Sequence, residues 1–149
     1  MNRFARPTSK CLSSKNRAHN PAKNTTSHPL TKTHHSYPAI MSAIKSSSLP
    51  KTFFLVFYSS IVDGKMWCPD CVDVEPSVRE AFDGAEKPEA QLFYVGKKEE
   101  WRTPENVARV DWNVRGIPTI IKLEEGKETA RVTETEILDQ SKWQAFLEN

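Results

Sequence analysis

The chain has little cysteine and, beyond residue 35, no histidine. Three cysteines stand in 149 residues, Cys11, Cys68 and Cys71, too few for a secreted disulfide scaffold. All four histidines (His19, His28, His34, His35) lie near the N-terminus. Outside residues 1–50, Cys68 and Cys71 have no further Cys and no His with which to complete a zinc site. His34-His35 has no Cys or carboxylate beside it and reads as a solvated stretch. No run is long and apolar enough to span a bilayer, and the N-terminus lacks the continuous apolar segment of a secretory signal. Acid is missing too: residues 1–50 hold eight Lys/Arg and no Asp or Glu. That segment carries +8 and residues 51–149 carry −6, so the net +2 hides two opposite parts and points to no nucleic-acid partner.

What is present falls into two regions. Residues 1–50 are rich in Ser, Thr, Asn, Pro and Lys, with Pro7, Pro21, Pro29 and Pro38 interrupting any helix. With no sustained hydrophobic period, this stretch is expected to be disordered. It reads as a mitochondrial presequence, as a tail without an address, or as an extension upstream of a start at Met41. The 51–149 segment is expected to be one domain. Thr52–Tyr58 is a continuous apolar run of strand length, as a buried central strand requires. Ser59–Met66 is a polar connection. From Cys68 a helix follows, because Cys71, Val74, Val78 and Phe82 share one helical face and Gly84 can stop it. Gln91–Val95 reads as a second strand. Thr103-Pro104 predicts a short helix over 104–110. Thr119–Leu123 and Glu128–Val132 form a hairpin through Glu125-Gly126-Lys127. Asp139 can cap a last helix whose inner face holds Trp143, Phe146 and Leu147. This order predicts an α/β fold, a central mixed sheet with helices on both faces.

The pair Cys68-Pro69-Asp70-Cys71 admits half a zinc site, two bystander thiols, or a redox dithiol. Its place between a strand and a helix in a βαβ unit favours the dithiol. Cys68 at the helix N-terminus meets orphan amides and the positive end of the helix dipole, both of which favour a thiolate. Only a thiolate attacks a disulfide. Cys71, one turn on, should face the core and resolve the mixed disulfide. Pro69 suits the first turn. Asp70 either tunes the site or is only a helix-terminal acid.

Trp67-Cys68-Pro69-Asp70-Cys71, then Glu75-Pro76-Ser77-Val78-Arg79-Glu80 and Ile117-Pro118-Thr119, resemble the thioredoxin superfamily. Within it they resemble the thioredoxin-related proteins that carry Pro-Asp, not Gly-Pro, between the cysteines. The resemblance covers 52–149. It implies a thioredoxin fold and a disulfide reductase with Cys68 attacking and Cys71 resolving. It implies a cis peptide before Pro118, with Ile117 against substrate, and a kink at Pro76. It further implies recharging by NADPH through thioredoxin reductase, no bound cofactor or metal, cytoplasmic location, and small or selected protein disulfides such as cystine as substrates. A monomer is expected. The rival is a thioredoxin-like interaction module without turnover, and a presequence in residues 1–40 would redirect the chain to mitochondria. Ordinary thioredoxins bury an acid in the first central strand. Phe54–Tyr58 has none, which leaves Asp63 as a substitute. Gly96–Asn113 is an extra stretch that would narrow the substrate groove.

Overall fold

A computed structural model describes residues 37–46 and 50–149. The elements in chain order are α1 (Tyr37–Lys45), β1 (Thr52–Tyr58), β2 (Ile61–Val62), β3 (Lys65–Met66), α2 (Pro69–Phe82), β4 (Ala90–Tyr94), α3 (Lys98–Arg102), α4 (Val107–Trp112), β5 (Thr119–Glu124), β6 (Lys127–Thr133), α5 (Glu134–Leu138) and α6 (Gln140–Glu148).

The apolar run Phe53–Tyr58 is buried throughout because β1 is an inner strand. It pairs parallel with β4 and antiparallel with β5, giving the sheet order β4-β1-β5-β6. Strand alternation assigns its two faces. Phe54 meets Phe82 of α2 and Phe146 of α6, at centroid distances of 4.9 and 5.6 Å. Phe57, on the opposite face, meets Trp112 of α4 at 6.3 Å. Helices therefore cover both faces of a mixed sheet, as expected. The α2 face is also as expected: Cys71, Val74, Val78 and Phe82 are all buried, and Pro76 lies within the helix.

Three expectations need correction, and one element was not foreseen. Within residues 1–50, expected to be disordered, Tyr37–Lys45 is a helix that buries Ile40 and packs Ile44 against the core. Two isoleucines one turn apart are enough to anchor so short a helix, and Pro38 sits in its first turn, where proline is tolerated. Residues 1–36 and 47–49 lie outside the described residues. The helix predicted over 104–110 runs instead over Val107–Trp112, and a separate helix, Lys98–Arg102, precedes it. Thr103 closes α3, its Oγ1 donating to the Glu100 carbonyl at 2.8 Å, and Asn106 caps α4 by accepting from Ala108 N. The connection Ser59–Met66 contains the small hairpin β2–β3. Finally, α5 follows β6 without a break, started by reciprocal hydrogen bonds between Thr133 and Glu136.

Candidate active site

The dithiol lies where β1 hands over to α2. Cys68 is the residue before the helix, with extended backbone (φ −90°, ψ 116°), and Pro69 opens the first turn. Ser59, the residue after β1, ties the pair together. Its Oγ accepts from the Cys68 N–H at 3.1 Å, and its own N–H donates to Cys71 Sγ at 3.4 Å. Spacing gave no hint of this role, because the contact to Cys71 bridges twelve residues of chain.

Cys71 retains a free, buried thiol, whereas Cys68 is disulfide-bonded, so the two are not bonded to each other here. Although it stands at a helix N-terminus, Cys68 is 0% exposed. Burial pushes the Cys71 thiol up to about 12, against the two Ser59 hydrogen bonds, with the Asp70 and Glu134 charges adding to the rise. A thiol held in apolar surroundings keeps its proton.

Asp70 lies in the first turn of α2 and is nearly buried, at 8% exposed. Its carboxylate gathers with those of Asp73 and Glu134, all within 4.8 Å of one another. Sequence reasoning missed Glu134, which α5 brings from far along the chain. Asp63, considered as the substitute acid, sits exposed in the β2–β3 turn with a left-handed backbone (φ 52°). The acids that act on Cys71 are Asp70 and Glu134, not Asp63.

Facing the dithiol is the turn before β5. The Ile117–Pro118 peptide is cis, and the Ile117 carbonyl oxygen lies 3.8 Å from Cys68 Sγ. Thr119 Oγ1 donates to the Gly116 carbonyl at 2.6 Å across this turn. Arg131 of β6 secures the approach to it, donating to the carbonyls of Trp112 at 2.9 Å and Asn113 at 3.1 Å while paired with Glu128. Trp67 is fixed from the other side by its indole N–H, which donates to the Gly96 carbonyl at 2.9 Å. Gly96 has φ +100°, and a Cβ there would stand 2.7 Å from the Glu100 carboxylate, so this junction requires glycine.

Beside Pro118 a cavity of about 960 Å³ is walled by Trp112, Arg115, Ile117, Arg131 and Glu134 among others. The stretch Gly96–Asn113, expected to narrow the substrate groove, supplies Asp111, Trp112 and Asn113 to that wall. The structure thus brings Cys68, Cys71, Asp70, Ile117 and Pro118 together, with Trp67 and Pro69 at the rim. Among the described residues no helix is long and apolar enough to cross a membrane.

A mixed four-stranded sheet, a dithiol motif opening the helix after its inner strand, and a cis-proline turn facing the first sulfur define a thioredoxin-like protein. Residues 33–149 match the family described as "Thioredoxin domain-containing protein 17-like, thioredoxin domain", and the chain belongs to that family. The match begins upstream of the 52–149 that carried the resemblance and takes in α1.

Human thioredoxin domain-containing protein 17 is 39% identical over 74 residues, covering 48% of this chain and 60% of the human protein. The thioredoxin-like protein Clot of Oryza sativa subsp. japonica is 40% identical over 77 residues, covering 47% and 55%. The aligned part thus spans somewhat over half the length of these relatives. Among solved structures, Trxlp from Edwardsiella tarda is similar in fold, with a TM-score of 0.52 at 21% identity over 77% of this chain and 96% of that one.

Proposed function

We propose that the chain is a thiol–disulfide reductase in which Cys68 attacks and Cys71 resolves. The observation that carries this reading is the disposition of Cys68. It stands at the N-terminus of α2 and against the Ile117 carbonyl of the cis-proline turn. A substrate disulfide approaching Cys68 meets backbone hydrogen-bonding groups on that turn, while the helix end favours the thiolate. Attack by the Cys68 thiolate breaks the substrate disulfide and releases one substrate thiolate, leaving the other sulfur bonded to Cys68. The Cys71 thiol then loses its proton and attacks Cys68 Sγ. The second substrate sulfur leaves with the electron pair, takes up a proton, and a Cys68–Cys71 disulfide remains.

Thioredoxin reductase, drawing on NADPH, is the proposed electron donor, and the domain itself holds no cofactor. Small or selected protein disulfides, cystine among them, are the proposed substrates, a reading supported by the cavity beside Pro118 that Trp112 and Arg115 help to line. The proposed working state is a cytoplasmic monomer. The test is NADPH consumption with thioredoxin reductase and either cystine or insulin. Turnover that requires Cys68 supports the reading. Absence of turnover with both substrates, together with tight partner binding, would instead indicate an interaction module.

A further inference from the structure

Cys68 has a covalent partner that the cycle above does not supply. Its sulfur is in a disulfide, while Cys71, one turn along α2, keeps a free thiol. In the cycle, the disulfide within the chain is Cys68–Cys71, and any other disulfide at Cys68 needs a substrate sulfur. The sequence holds one more cysteine, Cys11, which lies outside the described residues. With Cys71 set aside, Cys11 is the cysteine that remains within the chain.

Reach, charge and thiol chemistry agree with that pairing. α1 ends beside the β5–β6 turn, where Ile44 neighbours Gly126. The dithiol is at the other end of β1, about 20 Å away at the rise of a strand. Cys11 stands about 26 residues before α1, a length that extends to about 90 Å. Residues 1–36 carry seven Lys/Arg and no acid. At the dithiol, the carboxylates of Asp70, Asp73 and Glu134 gather within 4.8 Å of one another. A basic segment is thus drawn to an acidic rim. Lys10 precedes Cys11, and a neighbouring cation favours the thiolate, the form that attacks a disulfide.

We infer that Cys11 is the disulfide partner of Cys68 within the chain, so that the basic N-terminal segment occupies the substrate position of its own active site. This rests on the reductase reading, which supplies the oxidised domain. There the Cys11 thiolate attacks Cys68 Sγ. The Cys11–Cys68 bond forms and the Cys68–Cys71 bond breaks. Cys71 leaves with the electron pair and takes up the proton that Cys11 gave up. No electrons are gained or lost, so no oxidant is needed beyond the substrate disulfide that first oxidised the domain. The attack is intramolecular, at an effective concentration set by the length of the tether. The product has the disposition observed, Cys68 bonded and Cys71 a thiol. Burial holds the proton on Cys71, up to about 12, which favours the linked form. The linked chain has no Cys68 thiolate to offer a substrate. It reopens when Cys71 or an outside thiol attacks the bond.

The test uses the full chain and its Cys11→Ser variant, each oxidised with diamide, denatured, alkylated without reduction and digested. In the full chain, most molecules should carry the Cys11 peptide joined to the peptide of Cys68, with the alkyl group on Cys71. Non-reducing electrophoresis should place this species at the mass of one chain. In Cys11→Ser, Cys71 should escape alkylation because the Cys68–Cys71 disulfide forms instead. Lys10→Glu should slow formation of the link about threefold, the effect of half a unit of pKa on Cys11. A Cys68–Cys71 disulfide as the main product in the full chain would overturn the inference, as would a Cys11–Cys68 link found only between two chains. The NADPH assay separates this outcome from the reductase reading. Turnover without the link refutes the tail's role and keeps the reductase. The link without turnover, in Cys11→Ser as in the full chain, refutes the reductase and keeps the pairing.

Discussion

At the residue scale the two cysteines are chemically unequal. Cys71→Ser should trap substrate on Cys68, because the mixed disulfide then lacks its resolving thiol. Cys68→Ser should form no such adduct. Non-reducing electrophoresis with a disulfide substrate distinguishes the two, and stable adducts through Cys71 alone would reverse the roles.

The acids beside Cys71 add a second expectation. Asp70→Asn and Glu134→Gln each remove a charge that raises the Cys71 thiol, so each should speed its alkylation about threefold at fixed pH, half a unit of pKa. Asp70 was visible beforehand as an acid in the motif. What the motif could not show is that its charge bears on Cys71 and that Glu134 joins it. Cys68, Cys71 and Pro118 were legible because their chemistry is local: adjacent positions on one helix, or one peptide bond. Ser59 and Glu134 were not, because their relation to Cys71 exists only after β1, α2 and α5 have packed.

At the scale of elements, the long periodic segments were readable and the short ones were not. β1 announces itself as six apolar or aromatic residues, Phe53–Tyr58, flanked by polar ones, and α2 by four inward positions on one face. α3 and α4 have five and six residues, too few for a hydrophobic period to repeat. Their boundaries depend on Thr103 ending one helix where its sequence resembles the start of another.

α1 was missed because only Ile40 and Ile44 anchor it, amid a polar, proline-rich stretch. Ile40 is 4% exposed, so Ile40→Ala should lower stability by about 2 kcal/mol through lost transfer energy and the cavity left behind. Thermal or urea unfolding measures this. A chain beginning at Met41 should melt lower than one beginning at Tyr37 for the same reason. No change in either comparison would show that α1 contributes nothing to the folded domain.

At the scale of the whole molecule, folding buries the free thiol of Cys71, and this couples fold stability to pH. The Cys71 thiol rises from its ordinary 9.0 to about 12 on folding. The contribution of its neutral form is therefore complete below about pH 9 and is lost as pH climbs toward 12, where the unfolded chain ionises more readily than the folded one. The reduced protein should show a melting temperature that falls increasingly steeply above pH 9, and Cys71→Ser should flatten the first part of that fall. Tyr58 and Tyr94, also raised by burial, govern the steeper fall above pH 10. A melting temperature independent of pH up to 10.5 in the reduced protein would contradict a buried, neutral Cys71.

The same retained proton has an electrochemical consequence. Closing the Cys68–Cys71 bond must expel the hydrogen from Cys71 at any pH below about 12, so each pair of electrons that leaves the dithiol is accompanied by at least one proton. For a two-electron couple, one proton per pair makes the potential more negative by about 30 mV with every unit rise in pH. The domain is in that sense a proton-coupled cell. The more alkaline its surroundings, the stronger a reductant it becomes, and the hydrophobic wall around one sulfur sets the minimum slope of that response.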